Sequence, residues 1–484
     1  MAFYVTTPIF YVNAAPHLGH AYTTIAADVV ARHKRRRGED VFFLTGTDEH
    51  GEPVAQAAER EGVTPRELAD RNAEKFKALL PVLNASNDFF IRTSDPRHER
   101  KVQEVLQRVH DNGHVYKGLY EGWYCPRCAD FKSESEQGPG HTCLIHNIPL
   151  TREKEENWFF RLSTFQQELE DLLATGFVQP QARANEARSF VAQGLQDVSL
   201  TRGKITWGVR VPWDEGHVFY VWFDALLNYY TALGFAGDGG EDVTDRFWGE
   251  PTTHLIGKDI LKFHTIYWPA LLMAAGIDLP SRVFIHGFLL GHDNRKMSKS
   301  DGNVLDPFEV IDRFGTDALR YYLMRDVAFG EDGSVSMDGV ERRYETELAN
   351  DLGNLASRTI AMVRRYRDGA VPQVPHDELT AGLEEEVAAA MDEWRISDAL
   401  EAVWKRVRRL NRYVEEQAPW KLAKEDDREQ DLDRVLASLI AGLRVVSEQL
   451  QPFLPETMGT LSEAVKDDHV EAIEPLFPKR EVAA

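Results

Sequence analysis

The sequence predicts an α/β protein: a parallel sheet, interrupted by an insertion and followed by a bundle of helices. Three observations predict it. Two apolar runs, Phe3–Thr7 and Val41–Thr45, flank a helical pattern that starts near Gly19 and reaches about Arg36. Strand, helix, strand is the opening of a parallel sheet. That rhythm breaks over 113–211, which holds every cysteine, and resumes at Val218–Phe223, His254–Ile256 and Val283–Ile285. From about Glu345, apolar residues recur every three or four positions: Leu348, Leu352, Leu355, Thr359 and Val363, then Leu432, Leu436, Leu439, Leu443, Val446 and Leu450. Each run makes one apolar helix face.

In chain order, Pro8 and Pro16 bracket an expected loop, and 46–51 is an expected polar turn. Asp259–Ala275 is expected as the helix between the last two strand runs, and 369–380, rich in proline and acid, as a loop. With 484 residues the chain exceeds one ordinary core. The expected division is 1–114 and 216–297 for the two halves of the sheet, 115–215 for the insertion, 298–344 for a loop and stem-contact region, and 345–484 for the bundle.

The net charge of −22 argues against a general nucleic-acid coat, which needs lysine and arginine to displace counterions. Two local basic runs, 32–37 (RHKRRR) and 404–413 (WKRVRRLNRY), are solvated helix faces or patches for a polyanion. No apolar run approaches the ~20 residues of a membrane helix, and the N-terminus has no signal-peptide pattern, so a cytoplasmic protein is expected.

Two motifs carry chemistry. His17-Leu18-Gly19-His20 stands at a helix start, where unpaired N–H groups and a partial positive charge favour phosphate. Capping or packing is the plain alternative for such histidines. Lys296-Met297-Ser298-Lys299-Ser300 adds two ammonium groups and two hydroxyls on a polar loop; alone it reads as a charged solvated loop. The three cysteines all fall in Cys125-x2-Cys128-x14-Cys143-x2-His146, two close ligand pairs that suit tetrahedral zinc. His141 competes as fourth ligand; His146 is preferred because it completes the second close pair. With all four positions filled, the metal is expected to be structural, one per chain.

HLGH and KMSKS, in this order, resemble the two signatures of class I aminoacyl-tRNA synthetases. The run 6–13 (TTPIFYVN), 46–51 (GTDEHG), 220–225 (YVWFDA) and 257–260 (GKDI) are similar to the methionyl-tRNA synthetase family in particular, over nearly the whole chain. The resemblance implies a Rossmann-type catalytic sheet with a zinc knuckle in its insertion, a helical anticodon-binding domain, and ATP-dependent activation of methionine before transfer to tRNA(Met), initiator tRNA included. It implies that His17, Gly19 and His20 bind ATP, that Lys299 meets the phosphates in the transition state with Lys296 in support, and that Mg2+ accompanies ATP. It implies that Asp48 holds the α-ammonium, and that Ile9, Tyr11, Trp222, Ala225, Tyr229, Ile260 and His264 line the side-chain pocket. Leu226 stands where some members carry proline. Asn354, Arg358 and Trp420 match the family's anticodon-reading residues, and the basic run 404–413 is expected on the same helix as Trp420. Synthetases for leucine, isoleucine and valine carry a larger editing domain than an insertion of this size holds. A monomer is expected. A non-catalytic RNA-binding relative would not need both signatures and Asp48, and a small-molecule nucleotidyltransferase would not need the helical part.

Overall fold

Six parallel strands form the central sheet: β1 (Ala2–Tyr11), β2 (Asp40–Asp48), β3 (Phe89–Arg92), β6 (Val178–Gln179), β7 (Thr252–Gly257) and β8 (Arg282–His286). Their order across the sheet is β3-β2-β1-β7-β8-β6. The structure, a computed structural model, describes residues 2–128, 130–249, 251–297 and 303–478. The chain divides into two units, 1–16 with 34–286 and 17–33 with 287–484.

In the first unit the strands are buried nearly throughout, as parallel strands covered on both faces are. The expected loop between Pro8 and Pro16 is shorter than read: Ile9, Phe10 and Tyr11 are the end of β1, and the loop occupies 12–17. Proline cannot donate to a ladder, and the β1–β2 register shifts between Thr6 and Ile9 to absorb it. Beyond that irregularity Ile9 pairs with Gly46 and Tyr11 with Asp48, so Gly46, Thr47 and Asp48 belong to β2 and not to a turn. Gly46 fits there because a Cβ would lie 2.1 Å from the Ile91 carbonyl oxygen of β3.

The insertion builds its own antiparallel sheet on β4 (Val115–Cys125) and β5 (Thr151–Phe160), with Val198–Ser199 and Asp130–Lys132 at its edges. Val178–Gln179, read from sequence as part of that excursion, returns to pair with β8. The run 218–223 does not rejoin the parallel sheet. It ends an antiparallel strand, Asp214–Phe219, and begins helix α3 (Val221–Thr231), because a short aromatic-rich run does not separate strand from buried helix. The helix expected at 259–275 is a 3₁₀ turn at Lys258–Ile260, a π turn at Phe263–Tyr267 and an α-helix at Trp268–Ala275.

In the second unit, helix structure begins before Glu345, at Pro307–Phe314, then α4 (Thr316–Asp326) and Met337–Arg343. α5 (Asn354–Arg367), α6 (Ile396–Gln417) and α7 (Glu429–Leu450) follow and pack together. Every residue of the two apolar runs read from the sequence is buried. The expected loop at 369–380 has no helix or strand. Arg320 of α4 is fully buried. Its Nη2 lies 2.7 Å from Asp28 Oδ2 and 2.8 Å from the Pro452 carbonyl oxygen, and its Nε donates to Phe453 at 3.2 Å. Asp28 sits on α1 (Leu18–Arg36), the helix that begins at the HLGH motif. Asp28 is also held by Arg32 at 2.7 Å, so loss of Arg320 costs it one of its partners and leaves the Pro452 and Phe453 carbonyls without this donor. Arg320→Met is therefore expected to destabilise the second unit by ~1–3 kcal/mol in urea titration, and Asp28→Asn on that background to recover part of the loss. A midpoint unchanged by Arg320→Met would contradict this.

Candidate active site

The carboxyl ends of β1 and β2 lie side by side, the edge at which open parallel sheets bind ligands. Ile9 and Tyr11, two apart on β1, project to one face. α3 contributes from a second side. Trp222, Ala225 and Tyr229 recur at helical spacing on one of its faces, and Asp224, Asn228 and Thr231 on another. Trp222 stacks on Phe263, with ring centres 3.6 Å apart and planes at 8°, and meets Tyr11 edge-on at 6.2 Å. His264 Nδ1 is 3.0 Å from the Ile260 carbonyl oxygen, which can only accept, so Nδ1 carries the proton. Nε2 then accepts from the Tyr229 hydroxyl at 2.7 Å. Burial brings the His264 imidazole down to about 4, with the bond to Ile260 opposing, so the ring is neutral at physiological pH. Among the residues named from the sequence, these contacts link Tyr11 to Trp222, and Tyr229 and Ile260 to His264, while Ile9 and Ala225 lie on the same β1 and α3 in the first unit. Leu226 is buried in the hydrophobic core. Sequence reasoning missed Phe263; its signal was an aromatic residue in the helical turn beside Ile260 and His264.

Three consecutive ionisable residues, Asp48, Glu49 and His50, are buried here. Glu49 is saturated: Arg92 donates to both its oxygens at 2.7 and 2.9 Å, and Ser94 and Thr47 add hydroxyls. His50 Nδ1 is 2.6 Å from Asp224 Oδ2. Asp48 differs. Among the described residues its Oδ1 has no hydrogen-bond partner, and it is buried. Burial, and next the nearby Asp224, push its carboxyl well above the usual range, while the charge and backbone N–H of His50 oppose them. A buried acceptor in this state suits a cation that arrives with a ligand.

In the second unit, His17 and His20 lie with ring centres 3.8 Å apart. The His17 backbone N–H donates to His20 Nδ1 at 3.0 Å, and the Gly19 N–H to His17 Nδ1 at 3.1 Å. The two rings cap the helix start, and in the neutral form each carries its proton on Nε2. Capping therefore uses Nδ1 of both rings and does not itself occupy Nε2. Burial, then the charge of His17, pull His20 well below the usual histidine range. Gly19 makes room for the His17 ring, whose nearest atom would lie 3.0 Å from a Cβ. Lys296 is exposed and forms a bridge with Leu290. Lys299, Ser298 and Ser300 lie outside the described residues.

In the insertion, one donor atom from each of Cys125, Cys128, Cys143 and His146 lies within 4.8 Å of the others. Cys128 Sγ is 3.6 Å from Cys143 Sγ and 3.2 Å from His146 Nδ1. Zinc bonds of about 2.0–2.3 Å in a tetrahedron give edges near these lengths, so the donor set fits that ion. His141 is held elsewhere, stacked on Trp123 at 3.9 Å with Nδ1 2.8 Å from Gln137 Oε1.

Of the residues matched to anticodon reading, Asn354 and Arg358 are exposed one turn apart on α5. The Arg358 guanidinium lies 5.8 Å from the Trp420 ring centre and 2.8 Å from Glu415. Trp420 is not on the helix of the basic run: α6 ends at Gln417, Ala418 turns left-handed at φ 43°, and Trp420 begins a short helix, Pro419–Leu422. The chain breaks there because proline cannot continue the helix behind it. Within the run, Arg406, Arg408 and Arg409 pair with Glu386, Glu401 and Glu416, as on a solvated face.

The model of the family tRNA synthetases class I (M) matches residues 3–148 and 139–360. Methionine–tRNA ligase of Clostridium tetani is 44% identical over 477 residues, 96% of this chain and 74% of that protein. The corresponding ligase of Brucella suis biovar 1 is 46% identical over 475 residues, 95% of this chain and 90% of its own. The crystal structure of Mycobacterium tuberculosis methionyl-tRNA synthetase bound by methionyl-adenylate superposes with a TM-score of 0.94 at 39% identity, covering 99% of this chain and 100% of that one.

A carboxyl raised by burial costs the folded state stability above its unfolded value of about 3.8. That cost grows as pH rises through the folded value. Asp48→Asn is therefore expected to raise the thermal midpoint of the ligand-free protein at neutral pH, and to gain less at pH near 4. A lowered midpoint at neutral pH would contradict it.

Proposed function

The chain belongs to the class I tRNA synthetases of the methionine type, and from that premise we infer how its residues divide the work. It is an aminoacyl-tRNA ligase that activates methionine with ATP and transfers the methionyl group to tRNA. One observation carries the assignment of the site: the buried Asp48 carboxylate, with an unpartnered oxygen, at the strand end where the aromatic pocket opens.

In this reading the methionine ammonium docks on Asp48, and its flexible, polarizable thioether chain packs against Tyr11, Trp222 and Tyr229. The methionine carboxylate is ionised at neutral pH, so it attacks the α-phosphorus without a general base and pyrophosphate leaves. The α-phosphorus–oxygen bond to the leaving group breaks as the acyl-phosphate bond forms. What the chain supplies is placement and charge: Nε2 donors from His17 and His20, and ammonium groups from Lys296 and Lys299. Mg2+ bound with ATP would supply further positive charge to the phosphates beside these residues. Cys125, Cys128, Cys143 and His146 would hold a structural zinc, with no open position for chemistry. Asn354, Arg358 and Trp420 read the anticodon of tRNA(Met), initiator tRNA included, by stacking and hydrogen bonding. Exposure of the first two and the nearness of the third support this. We take the working form to be a cytoplasmic monomer, to be checked by light scattering; among the described residues no helix is long and apolar enough to cross a membrane.

ATP–pyrophosphate exchange across the standard amino acids should show turnover with methionine above all others; none with methionine would remove the reading. In the same preparation Trp420→Ala should leave exchange near that of the parent while aminoacylation falls by the worth of one base stack, ~1–3 kcal/mol or about 5- to 150-fold. Unchanged charging would remove the anticodon role.

The protein should carry one zinc per chain by elemental analysis. Cys143→Ala and His146→Ala should lose it and lower the thermal midpoint, whereas His141→Ala should keep it. Zinc-free protein from a chelator-free preparation would refute the site.

A further inference from the structure

Asp224 lies on the same helix as the pocket aromatics but on the opposite face, where no substrate role has been given to it. Two histidines grip it. His50 Nδ1 is 2.6 Å from Oδ2, and His98 Nε2 is 2.8 Å from Oδ1. His98 Nδ1 in turn lies 2.6 Å from the Thr231 hydroxyl, two helical turns on from Asp224. His50 Nε2 is 3.6 Å from Glu99. His50, His98 and Asp224 are all buried.

The arrangement joins three elements. His50 follows β2 by two residues, His98 is on α2 (Pro96–Asp111), and Asp224 is on α3. Only one of them touches Asp48: the backbone N–H of His50 donates to its carboxylate. We propose that His50, clamped by Asp224, is a positioning residue that aims the open oxygen of Asp48 at the substrate ammonium and ties it in register with the aromatic face of α3. This rests on the reading of Asp48 as the ammonium site. The geometry favours it because the rest of the segment is anchored independently. Glu49 is tied to Arg92, and the Trp207 indole donates to the Glu49 carbonyl oxygen at 2.6 Å while Gly51 donates back to Trp207 at 3.2 Å. The His50–Asp224 bond is thus not needed to hold the segment in the sheet. What it adds is a direct link between the ammonium acceptor and the helix that shapes the side-chain pocket.

The groups facing His50 are Asp48, Asp224 and Glu99, with His98 behind Asp224 and the Trp207 ring 5.2 Å away. Burial works against charge on the imidazole, but Asp224, with help from Glu99, lifts it to about 10. Burial would raise Asp224, but His50 and His98 hold it at about 2. The imidazole is thus matched to Asp224 and Glu99, and its charge opposes but does not overcome the burial that raises Asp48.

The test uses calorimetry on the full chain with two probes: L-methionine, and its deaminated analogue γ-methylthiobutyrate, which keeps the thioether and lacks the ammonium. His50→Gln should weaken L-methionine about tenfold and leave the analogue unchanged, as loss of aim at a charged hydrogen bond requires. Equal weakening of both probes, or of neither, overturns the proposal. Asp48→Asn separates the two levels of the argument. If it leaves the preference for L-methionine intact, the ammonium reading itself has failed. If it abolishes the preference while His50→Gln does not reduce it, only the positioning role has failed. Should His50→Gln not fold, His98→Gln carries the test, because it loosens Asp224 without touching Asp48: an approximately threefold selective loss for L-methionine supports the role, and any non-selective result overturns it.

Discussion

A carboxylate taken out of water must find partners or give up its charge, and Asp48 has been given too few partners of its own. It sits at the end of β2, where the parallel sheet delivers side chains to the ligand edge. Its neighbours make the shortage specific. Glu49 has Arg92, and His50 has Asp224, so the cost of burial is offset everywhere in the segment except at one oxygen. In the same unit stand the Trp222–Phe263 stack and a neutral histidine–tyrosine pair, surfaces that in the proposed function would meet a thioether without a competing charge. In the proposed function, specificity for an amino acid with a long apolar side chain would follow from one unsatisfied acceptor and an aromatic wall carried by neighbouring elements of the same unit.

Much of this was legible in the sequence. The apolar runs gave the strand–helix–strand opening and both long faces of the helical unit, because burial imposes a period that survives without any structure in hand. The cysteine spacing named a four-ligand set, and the rest of the sequence held no cysteine to compete with it. Proximity of long-range pairs was not legible. Nothing in the order of residues says that Asp224 faces His50, 174 positions away, or that Phe263 stacks on Trp222. Local conformation failed where chemistry was ambiguous. Pro8 reads as a breaker, yet a register shift carries β1 through it. The aromatic run at 218–223 fits strand and buried helix equally, and the chain uses it for both.

The second unit shows the same economy. His17 and His20 each use Nδ1 to accept a backbone N–H at the helix start, so the motif stabilises its own helix. The basic run on α6 is largely occupied by glutamates, which is how a strongly acidic chain keeps a helix face solvated without making it a general polyanion site. In the proposed function, recognition by this unit would fall to individual residues, Asn354, Arg358 and Trp420, and not to bulk charge. That division suits an enzyme that must select one tRNA among many of equal charge.

The central claim is that Asp48 waits, short of partners, for the charge that methionine brings. Proton counting tests it most directly. Calorimetric titration of the full chain with L-methionine, in buffers of differing ionisation enthalpy between about pH 5 and about pH 8, measures protons released on binding. A carboxyl raised by burial and brought down by an arriving ammonium predicts release of up to about one proton per site, shrinking as pH rises, and absent in Asp48→Asn. No release at any pH, or the same release from Asp48→Asn, would contradict the account.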